Sequence, residues 1–309
     1  MSRILVTGGA GFVGSNLINR LLQDGHSIVS VDDYSNGLIE NQFNGVKYLD
    51  LDISDRNSWE QLKAEKFDAV YHLAAQASNA ISFKNPVKDL EVNQQGTLNV
   101  VAFCRDEQVN RLIFTSSMSV YGNPKNFPTP STERPNPETY YAIHKAASEK
   151  YVSLSEEIDW TIFRLYTTYG SGQNLANLEQ GLVKIFLGYV LRGEPIKVHG
   201  SLERIRDIIH VTDVVEALVV SLENKNSYSK TYNLGTGITL TVGEIIQQIV
   251  KESGNNKSYP IEIEPGDIGD PFRTHADISD IKHDLDWNPQ IAPSQGISET
   301  LLKYLSTRN

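Results

Sequence analysis

Short apolar runs alternate with amphipathic stretches from the first residues of the chain. Ile4–Thr7, Ile28–Val31, Val46–Leu49, Ala69–Leu73, Arg111–Thr115 and Thr161–Leu165 read as strands. Val13–Gln23, Asn57–Ala64, Val87–Glu107 and Tyr140–Glu157 read as helices between them. Strands this short and this continuously apolar fit a parallel sheet covered on both faces. The alternation therefore predicts an α/β fold, a doubly wound parallel sheet with right-handed crossovers. Beyond residue 165 the alternation thins. A helix near Leu178–Leu191, strand pieces near Lys197 and Ile208, and a helix near Val211–Glu223 follow. Then come a strand at Tyr232–Leu234, a helix at Val242–Glu252, a strand at Ile261–Glu264 and a helix at Gln295–Leu305. This predicts a smaller C-terminal lobe, with the chain returning once to the large sheet. The division expected is 1–164 with 212–234 for the large domain, and 165–211 with 235–309 for the lobe.

The regularity breaks at Gly122–Thr139, where Pro124, Pro128, Pro130, Pro135 and Pro137 exclude a helix interior or a central strand. A connection of this length inside a compact domain is either a functional loop or a plain surface crossover. Composition narrows the class further. A chain of 309 residues with 39% hydrophobic and 21% charged residues suits a globular protein with a large core. A formal charge of -10 argues against nucleic acid and anionic membranes as partners. No apolar run approaches the roughly 20 residues of a membrane span. The single Cys104 excludes an intrachain disulfide, and the N-terminus carries no secretory pattern, so a cytoplasmic protein is expected.

Two motifs carry the chemistry. Gly8, Gly11 and Gly14 stand at G-x-x-G-x-x-G spacing between a strand and a helix. Gly8 permits a tight turn, Gly11 lets backbone approach a pyrophosphate, and Gly14 lets the helix pack close to the sheet. The free N–H groups of that helix then face the phosphates. Asp32 ends the second strand about 20 residues later, where a carboxylate meets the adenosine ribose. Asp32 and Asp33 would repel a 2′-phosphate, which favours NAD over NADP. The second motif is Tyr141-x-x-x-Lys145, which puts both side chains on one helix face. Lowering a tyrosine by about three pKa units takes roughly 4 kcal/mol, which a nearby ammonium and a positive nicotinamide can supply. Ser116, Ser117 and Ser119 lie just past a strand's carboxyl end, where a serine hydroxyl can steady a substrate oxygen. Glycine turn, then serine, then tyrosine–lysine pair along the chain point to redox chemistry on an alcohol. His72, His144, His199 and His210 show no metal-ligand spacing, so no metal is expected.

With these motifs the chain resembles an extended short-chain dehydrogenase/reductase. Within that superfamily it resembles the nucleotide-sugar epimerase/dehydratase family, its UDP-glucose 4-epimerase members in particular. The resemblance covers Thr7-Gly8-x-x-Gly11-x-x-Gly14, Asp32, Asp52-Ile53, His72-Leu73-Ala74-Ala75, Asn93-x-x-Gly96-Thr97, Ser117, Tyr141-x-x-x-Lys145, Arg164 and Arg206-Asp207. It implies a Rossmann domain binding NAD and a C-terminal lobe binding a nucleotide-diphosphate sugar. Tyr141 would be the base, Lys145 would hold the nicotinamide ribose, and Ser117 would bind the reacting hydroxyl. NAD would be lined by Gly8, Gly11, Phe12, Val13, Gly14, Asp32, Asp33, Ser35, Asn36 and Gly37. Further along, Asp52, Ile53, Leu73, Ala74, Ala75, Asn93, Thr115, Tyr141, Lys145 and Tyr166 would complete that lining. The sugar nucleotide would meet Ser117, Tyr141, Thr167, Asn177, Val198, Arg206, Asp267 and Arg273. A homodimer through the helices at Val87–Glu107 and Tyr140–Glu157 is also implied, with Val100, Phe103, Val152 and Leu154 as apolar residues beyond a single stripe.

Three positions depart from the family pattern. Thr167 stands where an asparagine often reaches substrate. Glu264 stands where a phosphate-binding arginine is common, with Arg273 as its candidate replacement. Met118 and Ser119 stand where 4,6-dehydratases carry Asp and Glu, so elimination lacks its acid–base groups. The expected activity is inversion at C4 of a UDP-sugar through a 4-keto intermediate. Its rivals are a dehydrogenase or 4-ketoreductase with net cofactor turnover, and a catalytically silent nucleotide-binding module.

Overall fold

The computed structural model describes residues 1–63, 65–175, 177–255, 258–266 and 268–306. In chain order the first half comprises β1 (Arg3–Thr7), α1 (Phe12–Gln23), β2 (Ser27–Asp32), β3 (Lys47–Asp50), β4 (Ala69–His72), α2 (Asn79–Lys84), α3 (Pro86–Leu90), α4 (Gly96–Asp106), β5 (Arg111–Ser117), α5 (Tyr140–Ser153) and β6 (Asp159–Leu165). The second comprises β7 (Thr167–Tyr169), α6 (Leu182–Arg192), β8 (Ile196–His199), β9 (Ile205–His210), α7 (Val211–Val220), β10 (Lys230–Leu234), β11 (Thr239–Thr241), α8 (Val242–Glu252), β12 (Ile261–Glu264), α9 (Ser279–Leu285) and α10 (Pro293–Ser306).

Seven strands form one parallel sheet in the order β10-β6-β5-β4-β1-β2-β3. The order reverses direction beside β1, because the chain walks outward to β3 and then crosses back to β4. Ligands of such sheets bind at that reversal, beyond the carboxyl ends of the strands. Ile4, Val6, Leu17, Ile18 and Leu21 pack one face of the sheet, while Leu5, Val29, Val31, Val100 and Phe103 pack the other. This is the doubly wound sheet that the alternation predicts. A three-stranded sheet (β11-β9-β7) and the β12-β8 pair build the smaller lobe around Val198, Ile208, Ile245 and Ile249.

Several elements differ from expectation. In place of the helix expected over Asn57–Ala64 is a 3-10 helix, Arg56–Leu62; Ala64 lies outside the described residues. The helix expected over Val87–Glu107 is α3 and α4 joined by a π-turn, Glu91–Gln95. Val100, Phe103 and Val152 pack on the sheet and are buried, so of the four expected dimer residues only Leu154 is exposed. The outward apolar positions are instead Val87, Leu90, Leu98, Tyr140 and Ile143.

Candidate active site

The glycine turn is built by close approach. Gly8 has φ +73° and sits so near the loop after β4 that a Cβ would fall 2.7 Å from Ala74 N. At Gly14 a Cβ would fall 2.1 Å from the Gly8 carbonyl oxygen. Helix α1 begins at Phe12 after Gly11, with no side-chain cap and no acidic residue in its first turn. Its leading N–H groups are left for an anion, as a pyrophosphate requires. Thr7 ties the turn to the neighbouring loop. Its hydroxyl accepts from Leu73 N and Ala74 N, both at 3.2 Å, and pairs with His72 Nδ1 at 2.8 Å. Full burial depresses His72 to about 3 and keeps it neutral, and its other nitrogen meets Thr97 Oγ1 at 3.0 Å.

Asp32 ends β2 with its carboxylate accepting from Ala10 N at 2.9 Å and Tyr34 N at 3.0 Å. Burial raises its pKa, and those backbone donors oppose the rise. Gly37 lies against it, since a Cβ there would be 2.7 Å from Asp32 Oδ1. The neighbouring Asp33 is engaged by Ser35, through N at 3.0 Å and Oγ at 2.6 Å. Asn36 Oδ1 accepts from Asn177 Nδ2 at 3.0 Å, so Asn177 meets the rim expected to hold cofactor. Asp52 accepts from Ser54 and from Lys88, which outweigh its burial and hold it below the usual carboxylate range. Ile53 packs beneath the π-turn, where a Cβ on Gly96 would fall 2.5 Å from Ile53 Cδ1. Asn93, in that turn, is buried; its amide donates to Gln76 O and Asp89 Oδ1, and no donor reaches its Oδ1. Asn93 Oδ1 and the bare start of α1 are two features that a dinucleotide would satisfy, so the residues present fit NAD.

The redox end of the groove lies at the carboxyl end of β5. Thr115 is buried with its hydroxyl 3.4 Å from the His72 carbonyl. Ser117 accepts from Ser119 N at 3.2 Å and Ser119 Oγ at 2.9 Å, and its side chain acts on the Tyr141 phenol. Thr139 caps α5 by accepting from Ala142 N at 3.2 Å, which fixes Tyr141 and Lys145 on the buried face of that helix. Lys145 Nζ lies 4.2 Å from the centroid of the Phe114 ring. Burial holds Lys145 down at about 7, against attraction from Glu149 and Asp89. The expected lowering of Tyr141 is not met in the protein alone. Burial pushes the phenol up to about 12, the nearby Ser117 side chain pulls it back in part, and the charge of Asp89 adds to the rise. Met118 packs on the core and the Ser119 hydroxyl is spent on Ser117, so neither acts as an acid or base here.

Sequence reasoning missed the network behind this face. Asp89 is fully buried and binds His144 Nδ1, Gln76 Nε2 and Asn93 Nδ2. His144 adjoins Lys145, and 55 residues separate it from Asp89, so no local spacing marks the pair. Arg164 is structural: it makes a bidentate pair with Glu149 and donates to Tyr121 and Ser131.

On the substrate side the expectations fare unevenly. Arg206 is buried and bound to Asp270. Arg273 stacks on Phe127 of the proline-rich loop, with centroid distance 4.6 Å, and its buried Nε finds no acceptor. That loop is pinned to the lobe by Thr129, which exchanges backbone hydrogen bonds with His275 and Asp277. Tyr166 is buried at the start of the lobe, its phenol pushed up by burial, and Thr167, half-buried, opens β7. Val198, expected beside the base, is wholly buried in the lobe core, because alternation along β8 turns Lys197 and His199 outward instead. Asp267 lies outside the described residues. Among the described residues, no group of three or more His, Cys, Asp or Glu side chains could hold a metal ion.

UDP-glucose 4-epimerase of Mycolicibacterium smegmatis is 34% identical to the chain over 308 residues, spanning 97% of this chain and 97% of that protein. The structure of UDP-glucose 4-epimerase with UDP-glucose from Thermotoga maritima superposes with a TM-score of 0.95 at 32% identity, covering 99% of this chain and 100% of that one. The Thermus thermophilus UDP-glucose 4-epimerase complex with NAD gives a TM-score of 0.91 at 33% identity, covering 98% and 99%. The profile of the NAD dependent epimerase/dehydratase family matches residues 4–235, from β1 through β10. With the matched span taking in the whole of the large sheet, the chain belongs to the NAD dependent epimerase/dehydratase family.

Proposed function

We propose that the protein inverts C4 of a UDP-sugar of the glucose/galactose or N-acetylhexosamine/uronate type, using NAD that stays bound. The observation that carries this reading is Tyr141 buried on the same helix face as Lys145, with the Ser117 side chain close enough to act on the phenol, and Met118 and Ser119 where elimination would need acids. NAD would supply a reversible two-electron acceptor and a cationic ring whose charge favours the Tyr141 phenolate. Gly8, Gly11, Phe12, Val13 and Gly14 would hold its phosphates, Asp32 its adenosine ribose, and Asn93 would offer it the open Oδ1. Lys145 holds the nicotinamide ribose and, with the ring's charge, opposes the burial that raises Tyr141. Tyr141 takes the proton of the sugar 4-hydroxyl as the hydrogen at C4 leaves as hydride, and returns it to the same oxygen when, after the sugar has turned, the hydride comes back on the other face of C4. Ser117 donates to the oxygen at C4 while it carries negative charge. Arg206 and Arg273 anchor the diphosphate, so the sugar can turn without leaving.

The large domain then comprises 1–164 and 212–234, and the substrate lobe 165–211 and 235–309. The exposed apolar positions Val87, Leu90, Leu98, Tyr140 and Ile143 on α3, α4 and α5 support a homodimer through these helices. No helix among the described residues is long and apolar enough to cross a membrane, and the lone cysteine is buried, which supports a cytoplasmic setting. A panel of UDP-, GDP- and dTDP-sugars, followed by NMR at C4 and by absorbance of reduced cofactor, tests the activity. Inversion at C4 without net cofactor reduction is expected; stoichiometric reduction would assign a dehydrogenase instead.

A further inference from the structure

The strand carrying Arg206 is preceded by a second cation. Arg204 stands one residue before β9, and it binds the same carboxylate as Arg206, so the two guanidiniums share a side. Both are deeply buried, at 7% and 3% exposure. One carboxylate lies between them: Arg206 Nη2 donates to Asp270 Oδ1 at 2.7 Å, and Arg204 Nη1 donates to Asp270 Oδ2. Arg204 also donates to Ser201 O at 3.1 Å, and Arg206 to Ile205 O at 2.8 Å and Phe272 O at 3.3 Å. Two guanidiniums against one carboxylate leave a surplus positive charge. Burial and then the Arg204 charge work against protonated Arg206, and Asp270 works for it.

The cluster abuts the catalytic helix. Residues 272–274 are zipped to β9, with Ile205 N donating to Phe272 O at 2.9 Å and Thr274 N to Ile205 O at 3.0 Å. Gly269, next to Asp270, has φ +74°, and a Cβ there would fall 2.1 Å from Thr139 Cγ2. Thr139 is the cap of α5, two residues before Tyr141. The unmatched Nε of Arg273, three residues from Asp270, adds a donor in the same segment.

We propose that Arg204 joins Arg206 in a two-guanidinium diphosphate subsite, and that Asp270 is an internal anion which a diphosphate displaces from it. This rests on the nucleotide-sugar reading above. A diphosphate presents two anionic groups where Asp270 presents one, and guanidinium forks match phosphate oxygens as well as carboxylate. Asp270 is the more accessible member, with 28% of its side chain exposed against 9% and 3% for the arginines. It can therefore swing into water as the nucleotide enters. On release it returns, so the buried arginines are never left without a counter-charge. The exchange weakens nucleotide binding and hastens product release.

The test is calorimetric binding of UDP and of inorganic pyrophosphate to the NAD-loaded protein and to Asp270→Asn, Asp270→Ser, Arg204→Gln and Arg206→Ala, each with a thermal melt. Both Asp270 variants should bind UDP and pyrophosphate about tenfold more tightly, and Arg204→Gln about tenfold more weakly. Unchanged or weaker binding by a folded Asp270 variant would make Asp270 a brace for the arginines and overturn the proposal. Unchanged binding by Arg204→Gln would remove Arg204 from the subsite. Arg206→Ala separates the two levels: if it binds UDP as the wild type does, the diphosphate assignment itself fails, whatever Asp270 does.

Discussion

Lys145 is held in a state the fold alone would not choose, and replacing it separates stability from function. Its burial moves the ammonium from an ordinary 10.5 to about 7. At neutral pH this costs the folded, NAD-free protein on the order of 4 kcal/mol, at ~1.4 kcal/mol per pH unit. Methionine keeps the stem and removes the charge. It also gives up the contact with Phe114, worth about 1–2 kcal/mol. Lys145→Met stripped of cofactor should therefore be about 2–3 kcal/mol more stable than wild type at pH 7. The sign follows from proton counting. Between pH 7 and 10 the unfolded lysine holds a proton that the folded one has released, so wild-type stability rises with pH through that window. The methionine variant lacks this rise, and its advantage should shrink toward pH 10. Turnover should fall by at least about a hundredfold, because Tyr141 loses its tuning partner. Urea unfolding of both proteins from pH 6 to 10, beside activity assays, checks this. A variant less stable than wild type at pH 7, with a parallel pH profile, would refute the burial argument.

Other outcomes follow from the same geometry. Tyr141→Phe should bind NAD normally yet lose about a hundredfold or more in rate; a variant keeping more than a tenth of the wild-type rate would show that Tyr141 is not the base. NADP should bind on the order of a hundredfold more weakly than NAD because the buried Asp32 carboxylate meets the 2′-phosphate, and equal affinity in a fluorescence titration would disprove that role. Sedimentation at micromolar concentration should give a dimer, and Leu90→Glu with Ile143→Glu should give monomer; a wild-type monomer would leave those apolar faces without their proposed cover.

What the sequence revealed was local. The glycine spacing and Tyr141-x-x-x-Lys145 each lie within one turn or one helix, and helix and strand periods carry that information directly. The strands β7 and β11 are three residues long, too short for any period to register. The π-turn at Glu91–Gln95 is hidden because apolar positions continue across it, yet it is the turn that carries Asn93. The partners of Asp89 and of Asp270 come from distant segments, so only the folded chain reveals them. Arg204 stands just before the strand that carries Arg206, so strand alternation does not place it, and only the shared Asp270 contact does. The direction of the Tyr141 shift was not readable, because it depends on how completely the helix buries the phenol.

The central claim is that oxidation and reduction at C4 occur within one bound sugar nucleotide. UDP-glucose deuterated at C4, incubated with the protein as purified and no added cofactor, tests it by NMR and mass spectrometry of the products. The account predicts UDP-galactose with the deuterium retained at C4 and no free reduced cofactor. Loss of the label to solvent or to free cofactor, or no inversion at C4 of any sugar in the panel, would contradict it.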